Sequence, residues 1–185
     1  MPEPLSTETL AEGKYLRLVR SGRWEFVQRV NATSGVIVAA LTDDHCVLFV
    51  EQFRVPVGCP VIELPAGLVG DHGAAPDEPA EVAAKRELDE ETGYVAGQVV
   101  TRFVVPSSAG LTDEMVSFVI ATRLKQVHDG GGDSSEDILV HKVPLTQVDA
   151  WLDKKSAEGY MIGARVYTGL YLLQRELKAS ASPPR

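Results

Sequence analysis

KRELDEETGY, residues 85–94, concentrates acidic side chains in one short segment. On a helix, Glu87 and Glu91 stand one turn apart and project to the same side, with Glu90 close to that face. Like charges at this spacing destabilise an isolated helix by about 0.2–0.5 kcal/mol per pair, and the dipole at a helix C-terminus disfavours anions as well. Residues that are unfavourable for the local helix in this way often have a functional role.

Two interpretations of this acidic helix are open. A divalent cation bound by the carboxylates would offset their repulsion, because hard oxygen ligands on one helix face suit Mg²⁺ or Mn²⁺, with phosphate oxygens and waters completing the coordination. The alternative is a solvated acidic face that binds nothing. From the helix alone the solvated face is the simpler interpretation, but the wider pattern around it reverses that preference.

The composition limits the class of protein. A chain of 185 residues with 44% hydrophobic residues fits one soluble domain with its own core. The formal net charge of -8 argues against a nucleic-acid partner, although an anionic substrate can still bind a locally positive or metal-loaded site.

Cys46 and Cys59 have neither metal-type nor redox spacing, which favours free thiols in the cytosol. The N-terminus lacks a signal-peptide pattern, and no run approaches the about 18 apolar residues of a membrane span, so we expect a cytoplasmic protein without a membrane partner.

The hydrophobic pattern predicts strands followed by helices. Residues 1–12 are polar and are expected to be loosely ordered, whereas residues 14–30 alternate around a Ser-Gly turn and predict a hairpin. Further strands are predicted at Val36–Leu41, Cys46–Val50, Val61–Leu64, Val99–Val105, Met115–Ala121 and Ile138–Val143. Amphipathic helices are predicted at Leu145–Lys155 and Ala164–Lys178, and loops at 68–77 and 128–137.

The acidic segment is predicted to end a central helix. Asp77 can cap its start, Pro79 is tolerated in its first turn, and Gly93 stands where a left-handed C-terminal cap belongs. Small apolar residues at helical spacing, from Ala80 to Leu88, supply a face for packing. Strands on both sides of this helix, with further helices last, predict an α/β protein in which helices enclose a mixed sheet.

The residues around the acidic helix form a longer motif with fixed spacing. Arg86-Glu87-Leu88-x-Glu90-Glu91-x-Gly93, with Glu78 eight positions before Arg86, resembles the Nudix box, G-x5-E-x7-R-E-U-x-E-E-x-G-U with U apolar. The sequence departs from the box at two positions. Tyr94 takes the last apolar position, and His72 stands where the opening glycine belongs. Gly67 is the preferred equivalent of that glycine because it directly follows a predicted strand, and Gly70 and Gly73 are the alternatives.

Further segments point to one branch of the family. The ordered segments 24–29 (WEFVQR), 51–54 (EQFR), 63–67 (ELPAG), 108–114 (SAGLTDE) and 136–138 (EDI) are similar to the ADP-ribose and nucleoside-diphosphate-sugar pyrophosphatases. The resemblance implies a Nudix α/β/α sandwich with a mixed sheet and an N-terminal β-arm. It divides the chain into an arm at 1–35, a hydrolase domain at 36–178 and a disordered tail at 179–185. It also implies a homodimer whose arms exchange between subunits.

The resemblance implies a metal centre that uses Mg²⁺, with Mn²⁺ as the alternative ion. The implied ligands are Glu87, Glu90, Glu91, the Ala66 carbonyl oxygen and Glu136. Glu136, after the glycine run, is the candidate general base, and Asp133 and Asp137 are alternatives for that role. Arg86 would orient Glu90. Such a centre would hydrolyse the pyrophosphate bond of ADP-ribose or a related nucleoside diphosphate sugar. A Nudix hydrolase for other dinucleotides or triphosphates, and a silent nucleotide-binding module, are the alternatives.

The same resemblance implies a set of substrate-binding residues. Trp24 or Phe26 would stack on the nucleobase, and Arg29 and Arg54 would bind the diphosphate. Glu63, Gly110, Leu111 and Glu114 would complete the set. The aromatic residues, arginines and glutamates also have structural alternatives: core packing for the aromatic rings, surface ion pairs for the arginines, a strand-end acceptor for Glu63 and a turn residue for Glu114.

Overall fold

The computed structural model describes residues 6–32, 34–70, 78–132 and 137–181, without the side chains of 180 and 181. The strands of this part of the chain are β1 (Glu8–Glu12), β2 (Leu16–Ser21), β3 (Trp24–Arg29), β4 (Ser34–Ala40), β5 (Cys46–Arg54), β6 (Cys59–Glu63), β7 (Ala66–Val69), β8 (Tyr94–Pro106), β9 (Met115–Gln126), β10 (Ile138–Pro144) and β11 (Met161–Ile162). The helices are α1 (Ala80–Thr92), α2 (Val148–Ala157) and α3 (Ala164–Ala181).

The strands form three sheets, with the orders β1-β2-β3, β7-β4-β9-β8 and β10-β5-β6-β11. The two four-stranded sheets are mixed, because β4 pairs in parallel with β9 and β6 pairs in parallel with β11. The predicted α/β class with mixed strand pairing is therefore confirmed. The sequence pattern suggested one mixed sheet, whereas the structure divides its strands between two, since hydrophobic alternation identifies strands but not their partners.

Strand β4 explains why two cores can form. Its side chains alternate between them: Ile37 and Ala39 face one core, and Val36 and Val38 face the other. The first core packs against apolar side chains of α2 and α3, and the second packs against α1. Burial on both faces accounts for the unbroken apolar run that predicted this strand.

Helix α1 begins after Pro79 and ends at Gly93, whose φ of 73° is the left-handed cap that the sequence predicted. Pro79 precedes the helix instead of lying in its first turn, and Asp77, the predicted cap, lies outside the described residues. Ala83, Ala84 and Leu88 are fully buried against the sheet. This packing fixes which side of the helix carries the glutamates.

Several elements differ from the sequence-based expectations. Residues 8–12, expected to be loosely ordered, form β1 by pairing with β2, and the short strands β7 and β11 were not predicted. The helix expected from Leu145 starts with the 3₁₀ turn Leu145–Gln147 before α2. The predicted hairpin is confirmed as β2 and β3. None of the helices in the described ranges is long and apolar enough to cross a membrane.

A charged cluster anchors α2 to β5. Glu51 of β5 accepts a hydrogen bond from Lys155 Nζ at 3.0 Å, and His141 Nε2 lies 2.8 Å from the same carboxylate oxygen. Burial on its own would raise the pKa of Glu51, but the contacts with Lys155 and His141 outweigh it and lower that pKa below the usual 4.5. The ionised form of Glu51 is therefore favoured by folding.

We expect Glu51→Gln to lower the free energy of unfolding by about 1–3 kcal/mol at neutral pH, because it removes the charge from these hydrogen bonds. A lowered pKa in the folded state stabilises the fold above the unfolded-state value, and this contribution disappears as the pH falls from about 4.5 through the folded-state pKa. The variant and the wild type should therefore converge in stability on acidification in urea denaturation. Glu158→Gln is the control, since its exposed pair with Lys154 spans 3.8 Å and should contribute little. A constant gap between Glu51→Gln and the wild type across this pH range would contradict the assignment.

Candidate active site

A polar cavity of about 280 Å³ collects residues from separate parts of the chain. Its lining comprises Arg29, Gly35, Val36, Arg54, Ala66, Gly67, Leu68, Glu87, Glu91, Glu114, Val116 and Arg165. Strands β3, β4, β5, β7 and β9 and helices α1 and α3 all contribute to it. Half of these residues had been singled out from the sequence as metal or substrate ligands, and the fold brings them together here.

The acidic part of the cavity is formed by Glu87 and Glu91 of α1. They are only 8% and 5% exposed, although both are carboxylates. The Ala66 backbone N–H donates a hydrogen bond of 3.0 Å to Glu91 Oε2. A methyl group at Gly67 would overlap the Glu87 carboxyl group, so this glycine leaves the space in which that carboxylate lies. The preferred opening glycine of the sequence motif thus has a clear steric role.

Arg86 compensates part of the negative charge. Its Nη1 donates to Glu87 Oε1 at 2.6 Å, and its Nη2 donates to the Leu68 carbonyl oxygen at 3.0 Å and lies 3.4 Å from Glu78. Burial alone would lower the pKa of Arg86, but Glu87 and Glu78 raise it. Glu90 is exposed and lies 3.6 Å from Arg86. Arg86 therefore contacts Glu87 more closely than Glu90, the partner that the sequence suggested.

The donor set fits a divalent cation. Glu87 and Glu91 offer hard oxygen donors on one nearly buried helix face, beside the backbone of Ala66 and Gly67. Within the described ranges, no three Asp, Glu, His or Cys side chains are grouped so as to hold a metal ion. Glu136, the predicted further ligand and base, and Asp133 lie outside the described residues. Asp137 lies just before β10 and is exposed.

The basic part of the cavity consists of three arginines and their partners. Arg29 forms a short ion pair with Glu114, and Arg165 Nη2 lies 3.9 Å from the other oxygen of that carboxylate. Arg54 Nε donates to Glu63 Oε2 at 2.6 Å. Burial would raise the pKa of Glu114, but the contacts with Arg29 and Arg165 lower it. A cavity with carboxylates and guanidinium groups together can bind a cation and a phosphorylated ligand at once.

A second, more apolar cavity of about 430 Å³ lies between the N-terminal sheet and the loop before β9. Trp24, Phe26, Gln28 and Gly110 are among its lining residues. A third cavity shares Gln28 and Asp113 with the second, and Arg29 and Glu114 with the first. The aromatic residues predicted to stack on a base therefore line a space that leads towards the charged cavity.

The loop before β9 is attached to the N-terminal sheet. The carbonyl oxygen of Leu111 accepts a hydrogen bond of 2.9 Å from the Val27 backbone N–H, while the Leu111 side chain is exposed. Gln28 also donates to Asp113. These contacts position Arg29 beside Glu114 and link the arm to the site.

Sequence reasoning missed Arg165. It lies in the first turn of α3, where the positive end of the helix dipole disfavours a cation. That unfavourable position was the one feature of the sequence that could have marked Arg165 as functional. Its position beside Glu114 depends on how α3 packs, which residue spacing does not reveal.

Comparisons with known proteins agree with this arrangement. The NUDIX domain profile matches residues 32–161. ADP-ribose pyrophosphatase of Bacillus subtilis is 30% identical, over 84% of this chain and 84% of that protein. Methanol dehydrogenase activator of Bacillus methanolicus is 30% identical, over 79% of each. GDP-mannose pyrophosphatase of Citrobacter koseri is 36% identical, over 60% of this chain and 59% of that protein.

A solved structure, described as that of an ADP compounds hydrolase, has the same fold. It matches with a TM-score of 0.74 at 21% sequence identity, covering 96% of this chain and 94% of that one. The profile spans most of the chain, and Glu87 and Glu91 of the acidic helix line the charged cavity. This chain belongs to the Nudix hydrolase family.

Proposed function

We propose that this protein hydrolyses the pyrophosphate bond of ADP-ribose or a related nucleoside diphosphate sugar, releasing a nucleoside monophosphate and a sugar phosphate. The observation that carries the proposal is the convergence of Glu87 and Glu91 with Arg29 and Arg54 in one cavity. Relatives named as ADP-ribose and GDP-mannose pyrophosphatases support this substrate class.

The reaction sets clear demands on the site. A water molecule attacks one phosphorus, the bond from that phosphorus to the bridging oxygen breaks, and the bridging oxygen leaves with the other phosphate. Nudix hydrolases generally need a divalent metal. We propose Mg²⁺, which when bound would neutralise phosphate oxygens and acidify a bound water.

The residues of the chain have separate tasks in this proposal. Glu87 and Glu91 hold the cation, with the Ala66 carbonyl oxygen and Glu90 as further candidates, and Arg86 holds Glu87 in place. Arg29 and Arg54 donate to the phosphate oxygens, and Glu114 and Glu63 keep their guanidinium groups oriented. Trp24 or Phe26 stacks on the nucleobase in the second cavity. Glu136 keeps its predicted role as the base that accepts the proton of the attacking water.

A substrate panel tests the proposal. The wild-type protein with Mg²⁺ or Mn²⁺ is given ADP-ribose, ADP-glucose, UDP- and GDP-sugars, dinucleotides and nucleoside triphosphates, and the products are identified. We expect release of the nucleoside monophosphate from a diphosphate sugar. Preferential cleavage of triphosphates or dinucleotides would contradict the substrate class.

A second candidate is a nucleotide-binding regulator without turnover. The relative named as a methanol dehydrogenase activator favours it. The buried carboxylate pair disfavours it, because a silent module has no need of that costly arrangement. Calorimetry with ADP-ribose and Mg²⁺ separates the two: binding without release of AMP would favour the regulator.

The assembly proposed is a homodimer formed through the N-terminal sheet. This sheet and the connection between β1 and β2 expose the apolar side chains of Tyr15, Leu16, Leu18 and Trp24. A second copy of the chain would cover them. Light scattering after size-exclusion chromatography should then give twice the mass of 20.0 kDa, and a monomer at all concentrations would contradict the proposal.

A further inference from the structure

We propose that Arg165 binds the phosphate on the sugar side of the scissile pyrophosphate bond. This inference rests on the proposed function, because it assigns a role within the same cavity. It concerns a residue outside the sequence motif of the family.

The backbone before Arg165 is held close to the site. Strand β11 pairs in parallel with β6, and the Gly163 backbone N–H donates a hydrogen bond of 2.9 Å to the Ile62 carbonyl oxygen. Helix α3 then begins at Ala164, so the backbone of Arg165 follows directly after a segment that is anchored to β6. Its side chain is 45% exposed and lines the charged cavity. A ligand in that cavity can therefore reach its guanidinium group.

The local charge leaves Arg165 available for an anion. Glu114 is shared by Arg29 and Arg165, so this group of three carries one net positive charge. The Arg29 contact is short, whereas the Arg165 contact spans 3.9 Å and is a weak ion pair in exposed surroundings. The first turn of α3 has no acidic residue, and its dipole opposes a cation there. A bound phosphate would satisfy both the guanidinium group and the helix end.

The order of the cavities assigns the two phosphates. Trp24 lines the second cavity, Arg29 lines the third and the first, and Arg165 lines the first. A nucleoside bound beside Trp24 places its own phosphate near Arg29. The second phosphate, which carries the sugar, then lies within the charged cavity, whose lining also includes Arg165 and Arg54.

The experiment compares ADP with AMP, since only ADP carries the second phosphate. Binding of both nucleotides is measured by calorimetry with Mg²⁺, and kcat and KM are measured for ADP-ribose. We expect Arg165→Gln to weaken ADP binding and raise the KM for ADP-ribose by about tenfold or more, with AMP binding unchanged. Arg165→Lys should fall between the variant and the wild type, because lysine keeps the charge without the planar fork.

Arg175→Gln is the matched control, since it removes an exposed arginine from the same helix, away from the cavity. If Arg165 had a purely structural role, Arg165→Gln would lower the melting temperature and would affect the binding of ADP and AMP equally. Unchanged ADP binding in Arg165→Gln, or weakening of AMP to the same degree, would overturn the inference even if the wild type hydrolyses ADP-ribose. If the wild type binds ADP but hydrolyses nothing, the proposed function fails while the effect of Arg165→Gln on ADP still decides this inference. If the wild type hydrolyses another nucleoside diphosphate sugar of the panel instead, the matching diphosphate and monophosphate replace ADP and AMP. If it binds no nucleoside diphosphate and hydrolyses none of these sugars, both are overturned.

Discussion

Glu91→Gln is expected to lower kcat for the preferred diphosphate sugar by at least about 100-fold and to leave the fold intact. Glu91 is 5% exposed and lines the charged cavity, so its charge acts where water screens it little. Glutamine has nearly the same shape, and its amide oxygen can still accept the hydrogen bond from the Ala66 N–H. The substitution therefore removes a cation ligand while it preserves the contact between α1 and β7.

Two measurements should change together in this variant. Turnover should fall, and calorimetric titration with Mn²⁺ should show weaker binding, while the melting temperature stays close to that of the wild type. Asp89→Asn is the control because it makes the same chemical change on the same helix, at a side chain that is 42% exposed and pairs with His128 at 3.1 Å. Near-normal turnover in Glu91→Gln would remove Glu91 from the cation site and would refute the explanation of the acidic helix.

Local rules were enough to predict the acidic helix and its end. The spacing of Glu87 and Glu91 fixes their shared face on any α-helix, and Gly93 supplies the left-handed cap. The apolar run of β4 likewise predicted a buried strand, and its side chains are buried on both faces. These features depend on neighbouring residues only, which is why one sequence was sufficient.

Features that depend on partners far away in the chain were missed. Strand β7 contains Gly67, which has low strand propensity, and it becomes a strand because it pairs with β4. Strand β11 has two residues and exists through its pairing with β6. Arg165 reaches Glu114 only after α3 has packed on the sheet. The sequence can indicate such residues only where they break a local rule. The arginine in the first turn of α3 is an example, because the helix dipole disfavours a cation there.

Gly67→Ala is expected to lower kcat by about 100-fold while the protein stays folded, because a misplacement of about 1 Å at a reacting centre can have that effect. The added methyl group would overlap the carboxyl group of Glu87. That group is the far end of a flexible side chain, so it can rotate away while the backbone of β7 stays in place. Glu87 would then lose its position beside Arg86, and the cation would lose a ligand.

Stability separates this mechanism from simple misfolding. Alanine restricts the unfolded chain more than glycine and should on that account raise the free energy of unfolding by roughly 0.5–1 kcal/mol. This gain offsets part of the about 1–3 kcal/mol lost with the hydrogen bond between Arg86 and Glu87, so the net loss should be small. Gly13→Ala is the control, because a methyl group there meets only the Leu16 carbonyl oxygen at an ordinary 3.5 Å. We expect Gly67→Ala to unfold cooperatively at a slightly lower melting temperature, bind Mn²⁺ more weakly and turn over slowly, and Gly13→Ala to match the wild type in all three. Full activity in Gly67→Ala would mean that Glu87 can leave its place beside Gly67 without consequence, and would exclude it as a cation ligand.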